Sequence, residues 1–365
     1  MSRTVWRLLG VSTVAVVLAV TFVAIGTSAT RATSATRAKG QFVLFGPAST
    51  DNYVAQLYRG AQQQAKKLGY SLKIIQNTSQ PQEDTQVKQQ LASGKPSAYF
   101  WWPTNNKAGI ASQVALANSG VPTVMANQLP IKGVDKYWAE YAGVDDVLNG
   151  QVSGKLLLQA RKAMLASGAK LHSKGGNVII VRFPAGYGAG DNRITGFEQA
   201  IKGSGIKILG IQAAGFDPTT GFKIGSQLIA ANKSKGIDFV YAENDALADG
   251  VIQALEQAGF TPGKDVMVIG GTCHGNLTNL IQGKEFGTGL QAAFLEGVYD
   301  VNVLVKYLET KKVLPGQNFA PSSRMSIPPV GSVYKYNFIP NPSVTSKQVN
   351  TVRLWGYSMR QLCTY

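Results

Sequence analysis

Apolar residues in this chain alternate between short continuous runs and longer stretches in which they recur every three or four positions. The runs read as buried strands and the stretches as amphipathic helices. Phe42–Phe45 is the first strand, and Tyr53 to Leu68 is a helix with Val54, Leu57, Tyr58, Ala61, Ala65 and Leu68 on one face. Leu72–Gln76, Ala98–Trp102 and Thr123–Ala126 are the next strands, separated by a polar helix over Pro81–Leu91 and another over Ala108–Asn118. Ala139–Val144 then leads into a second round. Its helices are expected near Val147–Ala166, Arg193–Ile201, Thr219–Ala231, Ala246–Ala258 and from Leu277–Gln282. Its strands are Asn177–Phe183, Ile206–Gln212, Phe239–Ala242 and Asp265–Gly270, with Pro184–Asn192 a loop.

Four of the helices run into a glycine just before the next strand, at Gly69, Gly120, Gly205 and Gly259. Glycine suits these points because the chain leaving a helix turns through positive φ, where a Cβ clashes. Helices feeding short buried strands predict an α/β fold with parallel sheets. Two successive sets of similar size predict two lobes of one design. Such sheets bind ligands beyond the carboxyl ends of their strands, so the functional residues are expected in the loops there.

Past Pro315 the periodicity ends. This Pro-rich tail is expected to wrap a surface rather than build a core. The N-terminus reads as an export signal over residues 1–29: Arg3 and Arg7, an apolar run Leu8–Ile25, then the small residues Thr27-Ser28-Ala29. No cysteine follows the run, which argues against a lipoprotein, and residues 30–40 read as a flexible tether.

The chain has 365 residues, 44% apolar and 15% charged, enough for two substantial cores. The net charge is +16; five basic and no acidic residues precede Gly40, leaving 31 basic against 20 acidic residues, or +11. The lysines are scattered, and with the export signal this argues against a nucleic-acid partner. The two cysteines, Cys273 and Cys363, form a candidate disulfide outside the cytoplasm.

Catalytic signals are thin. Gly271-Thr272-Cys273-His274-Gly275 imitates a nucleophile elbow, but the other histidine, His172, sits in an upstream loop. Gly186-x-Gly188-x-Gly190 lacks the spacing of a dinucleotide loop. Two histidines and two cysteines make no metal site. No enzyme, cofactor or metal is therefore expected. The strand-end loops hold a binding set instead: Asp51, Tyr53, Trp101, Trp102, Asn127, Gln128, Phe183, Tyr187, Arg193, Phe216 and Asn244. Aromatic rings cover the C–H faces of a polyhydroxylated ligand, while amides, carboxylates and guanidinium groups reach its hydroxyls. Arg193, placed at a helix start, opposes the helix dipole and so points to a ligand. Asp51 and Asn244 also suit helix caps.

Taken together, Gly60-Ala61, Ala65–Tyr70, Pro103-Thr104-Asn105, Gly120-Val121-Pro122-Thr123, Arg193-Ile194-Thr195-Gly196-Phe197, Ala242-Glu243-Asn244-Asp245 and Asp265–Gly270 resemble the type I periplasmic solute-binding proteins of the ribose-binding kind. The resemblance implies two Rossmann-like lobes with parallel sheets joined by a three-strand hinge. It assigns residues 41–143 plus 292–323 to the N-terminal lobe, and 144–291 plus 324–365 to the C-terminal lobe. It also implies ligand-binding roles for Asp51, Tyr53, Arg193, Phe216 and Asn244. Where the family carries an Asp-Arg pair this chain has Asn127-Gln128. A family aspartate is Thr272, a family glutamine falls on Ala292 beside Gln291, and Trp102 stands at a normally small polar position. These departures imply a ligand other than ribose, larger, less hydroxylated or differently charged. The implied function is an exported, monomeric receptor that captures a sugar or polyol and delivers it to a membrane ABC permease. The alternative is a sensory receptor acting on a membrane kinase or chemoreceptor.

Overall fold

The computed structural model describes residues 38–48, 52–131, 133–312 and 336–364. The expected export signal, most of the tether, Asp51 and the 313–335 stretch of the tail lie outside them. The first round of elements is β1 (Gln41–Pro47), α1 (Asn52–Lys67), β2 (Ser71–Asn77), α2 (Gln80–Ser93), β3 (Ala98–Trp101), α3 (Ile110–Asn118), β4 (Thr123–Ala126) and β5 (Glu140–Val144). The second is α4 (Asp146–Ala166), β6 (Asn177–Arg182), α5 (Gly188–Ile201), β7 (Lys207–Ala213), α6 (Pro218–Asn232), β8 (Phe239–Ala242), α7 (Asp245–Gln257), β9 (Met267–Ile269), α8 (Leu277–Ile281) and β10 (Glu285–Gly289). There follow α9 (Ala293–Thr310), β11 (Tyr336–Ile339), β12 (Ser343–Thr345), α10 (Ser346–Thr351), the hairpin β13 (Arg353–Leu354) and β14 (Tyr357–Ser358), and α11 (Met359–Leu362).

Two six-stranded sheets carry this order with one plan, β11-β5-β4-β3-β1-β2 and β12-β10-β9-β8-β6-β7. Every pairing in them is parallel except the edge pair β10–β12. The fold is thus α/β with two lobes. The central strands are buried on both faces, which is why they read as unbroken apolar runs rather than alternating ones. The four glycines expected to turn the chain do so at φ between +73° and +87°.

Helices α4 and α5 pack with almost no space between them where Arg193 sits. A Cβ on Gly150 would stand 2.0 Å from the Arg193 carbonyl oxygen, and one on Gly196 would stand 1.9 Å from that of Val147. Only glycine allows this approach, so two sequence positions without side chains fix the depth of Arg193.

Two expectations need correction. The tail does build core: Trp355, Met359, Leu362 and Cys363 are buried in one apolar cluster with Cys273 and Leu280. Nor does everything past residue 324 join the second lobe. Tyr336–Ile339 pairs with β5 in the first sheet, where Tyr336 and Phe338 pack on Tyr141. The chain reaches the second sheet only at β12. Both strands have at most four residues. Segments so short show no period of their own; neighbouring strand edges supply their hydrogen bonds.

Candidate functional site

The strands of both sheets end at one cavity. Pro47 closes β1, Trp102 follows β3 and Asn127 follows β4; opposite them stand Phe183 after β6, Phe216 after β7, Asn244 after β8, Thr272 after β9 and Gln291 after β10. Ala48, Tyr53, Val54, Tyr187 and Arg193 complete the lining. The cavity offers about 50 Å³ to the centre of a water molecule.

Arg193 is the best-anchored group. Its Nε donates to Asp146 Oδ1 at 2.9 Å, one terminal nitrogen to the Glu243 carbonyl at 2.6 Å, and the other to Gln291 Oε1 at 2.9 Å. The guanidinium carbon lies 5.1 Å from the centre of the Phe183 ring. Burial opposes its charge, but the neighbouring Asp146 carboxylate, with Tyr241 and Glu243 beyond, holds its pKa above the ordinary value. Three of its five N–H groups are committed, so two remain to donate. Sequence placed Arg193 at a helix start. The helix begins five residues earlier, at Gly188, so the dipole argument fails. Its charge is answered by Asp146 instead.

A second network lies on the first lobe. Tyr53 Oη donates to Glu296 Oε2, while the Asn127 amide donates to Tyr53 Oη at 2.9 Å and to Glu296 Oε1 at 3.1 Å. Burial pushes Glu296 up to about 7 against these bonds. Asn127 itself is left-handed, at φ +62°. Tyr53 thus lines the cavity with its hydroxyl held, and its ring stands edge-on to His274 of the other lobe at 5.3 Å. Trp102 also crosses the cleft, its indole N–H donating to Tyr187 Oη at 3.3 Å.

The remaining candidates divide. Asn244 lines the cavity and caps α7: its Oδ1 accepts from Leu247 N at 2.7 Å and its NH2 donates to the Phe216 carbonyl at 3.0 Å. Thr272 lines it with its hydroxyl on Asp245 Oδ2 at 2.8 Å. Gln291 is fully buried behind Arg193. Gln128 is not in the lining; its NH2 donates to the Pro103 carbonyl and it supports the loop after β3. Asp51 is outside the described residues.

The sequence reading left out the second layer. Asp146 begins α4, one residue before the expected helix start, and was not singled out. Glu296 lies on α9, a helix not recognised from periodicity. Glu243 sits beside the candidate Asn244, fully buried, with its Oε2 accepting from Phe183 N. Burial pushes it up to about 7. Nor is Cys273 a free thiol: it is bonded to Cys363, so the nucleophile-elbow reading loses its nucleophile. Among the described residues, no cluster of His, Cys, Asp or Glu suits a metal ion.

Two parallel-sheet lobes whose strand ends share one cavity define a two-lobed ligand-binding protein. The model of the periplasmic binding protein domain matches residues 42–312, and the chain belongs to that family. The ribose import binding protein RbsB of Salmonella typhimurium is 30% identical over 264 residues, covering 72% of this chain and 82% of that protein. RbsB of Escherichia coli is 29% identical over 293 residues, covering 80% and 92%. The crystal structure of a galactofuranose binding protein superposes with a TM-score of 0.70 at 21% identity, covering 84% of this chain and 95% of that one. It shares the fold.

Proposed function

We propose that this chain is the extracytoplasmic receptor of a sugar ABC importer, holding a sugar or polyol between its lobes. One observation carries the reading: groups from the strand ends of both sheets line a single cavity that combines aromatic rings with a buried arginine. Rings cover the apolar faces of a sugar, while the two uncommitted N–H groups of Arg193 donate to its oxygens. Asn127 and Thr272, at positions where the family carries aspartates, leave the lining with fewer carboxylates than a ribose site. The ligand is therefore not ribose.

Binding works through closure. A ligand touching both lobes favours the closed form by the contacts it makes only there. A micromolar affinity, about −8 kcal/mol, exceeds the roughly 5.5 kcal/mol that carries an equilibrium from 1:99 to 99:1. The closed form then docks on the permease. The protein acts as an exported monomer without catalysis, cofactor or nucleic-acid partner. Among the described residues no helix is long and apolar enough to cross a membrane.

A thermal-shift panel of pentoses, hexoses and polyols tests this. At least one sugar other than ribose raises the melting temperature by several degrees. Tight ribose binding refutes the ligand assignment, and no shift with any carbohydrate refutes the receptor.

A further inference from the structure

Along the chain the lysines are scattered, but the second sheet gathers them. Strands β6 to β10 run parallel, so connections entering them lie at one edge and connections leaving them at the other. The leaving connections face the ligand cavity. They are 183–187, 214–217, 243–244, 270–276 and 290–292, and they contain no lysine or arginine. Every entering connection carries lysine: Lys170 and Lys174 before β6, Lys202 before β7, Lys233 and Lys235 before β8, Lys264 before β9 and Lys284 before β10. Lys207 is the first residue of β7 at the same edge. Charge on this lobe is sorted by sheet edge, away from the ligand.

Helix dipoles account for little of this. They favour a cation within the last helical turn, yet α4, α5, α6, α7 and α8 have no basic residue there. Only Lys202 and Lys233 stand directly past a helix end. Lys233 reaches the Ala258 carbonyl at 2.7 Å, Lys235 reaches Asn232 Oδ1 at 3.1 Å and Lys284 pairs with Glu256 at 2.7 Å. Lys170, Lys174, Lys202, Lys207 and Lys264 are exposed, and their ammonium groups meet no acceptor among the described residues. Two acids share the entering connections: Asp238, buried on the backbone N–H groups of His172 and Asn177, and Asp265, which accepts from Thr261 N.

An apolar group stands beside these charges. Leu165, near the end of α4, is 53% exposed. One turn earlier Arg161 donates to the Ser204 carbonyl at 2.8 Å, which sets this end of α4 against the connection carrying Lys202. A leucine gains nothing from a soluble polyanion, but it gains by entering the apolar part of a lipid surface.

We propose that this pole of the second lobe rests on a bilayer containing anionic phospholipid, with the lysines on headgroup phosphates and Leu165 among the upper acyl carbons. The posture leaves the ligand cavity, at the opposite strand edge, clear of the membrane. It goes beyond the sugar-receptor reading and does not depend on it.

Vesicle flotation tests it on the mature form expected after removal of residues 1–29, which keeps both sheets whole. The probes are vesicles of phosphatidylcholine alone and of phosphatidylcholine with an equal part of phosphatidylglycerol. The protein floats with the mixed vesicles and not with the neutral ones, and added salt weakens the binding. The combined variant Lys170→Gln, Lys174→Gln, Lys202→Gln, Lys207→Gln and Lys264→Gln binds about tenfold or more weakly, since each lysine near an anionic surface adds its own attraction. The variant Lys66→Gln, Lys67→Gln, Lys88→Gln, Lys306→Gln and Lys347→Gln removes the same charge elsewhere and loses less than about threefold. Leu165→Ser loses about threefold. Melting temperatures confirm that each variant folds. Equal losses in the two lysine variants, or no preference for phosphatidylglycerol, overturns the proposal. So does full binding by Leu165→Ser, which assigns the lysines to a soluble polyanion instead. Sugar titration reads the receptor separately, so none of these outcomes touches it.

Discussion

Trp102, from the first lobe, and Tyr187, from the second, meet across the cleft through one hydrogen bond, indole N–H to phenol oxygen at 3.3 Å. Each residue lines the inner cavity, so the contact joins the lobes where the ligand is enclosed. Close by, the Asn105 amide lies against Gly186, whose φ of +86° and missing Cβ allow the approach. Gly186 and Gly188, which lie against Asn105 and Asn106 of the first lobe, therefore serve lobe contact rather than phosphate binding.

Trp102→Phe keeps a ring and removes the bond. A hydrogen bond of this kind contributes about 0.5–1.5 kcal/mol, so sugar affinity should fall roughly two- to tenfold. Small-angle scattering without ligand should show a more open average shape. Unchanged affinity and shape together would remove the contact from the closure mechanism.

Arg193 and Asp146 are both buried, and removing one leaves the other uncompensated. Arg193→Met alone should lower unfolding stability by about 3–5 kcal/mol. Adding Asp146→Asn should recover much of that loss without restoring ligand binding. Denaturant unfolding measures the first effect and sugar titration the second.

The disulfide closes a loop of 90 residues between Cys273 and Cys363. Its loss, by reduction or as Cys273→Ser with Cys363→Ser, should lower stability by about 2–4 kcal/mol. Because Cys273 lies between Thr272 of the cavity lining and His274 on the Tyr53 ring, ligand affinity should fall too. Melting curves and titrations with and without reductant check both.

Glu243 and Glu296 are each raised to about 7 by burial. The folded state therefore binds more protons than the unfolded chain, whose glutamates titrate near 4.3. Linkage makes stability full below about pH 4.3 and lost as pH rises through about 7. The loss attributable to Glu243 is on the order of 3 kcal/mol. Glu243→Gln should flatten this fall while leaving stability at pH 5 nearly unchanged, measured by chemical unfolding across pH 4.5–8. An equally steep profile in the variant would assign the protons elsewhere.

Much of the architecture was legible because buried parallel strands and glycine-terminated helices carry strong local signals. The first round of elements agrees with the sequence reading to within a residue or two. Helix α5 was misjudged at its start because Gly188-Ala189-Gly190 reads as loop, yet it is held in helix against Glu243 and Phe183. Helix α9 was missed although it carries Glu296, and the tail strands were missed because three or four residues show no period. Of the site, Trp102 and Phe216 could be found from their places after strands, whereas Arg193 lies inside α5. Gln128 could not be separated from Asn127, since adjacent residues at a turn diverge according to local φ.

The sequence alone determined the alternation of helix and strand, the two rounds, and which strand-end residues stood available to meet a ligand. Those are properties of short segments, written in period and in glycine placement. Tertiary structure decided which of these residues share a cavity, which carboxylates stand behind them, and that scattered lysines meet at one pole of the second lobe. Such choices depend on contacts between residues far apart in the chain, Tyr53 with Glu296 or Arg193 with Gln291, and no local pattern encodes them.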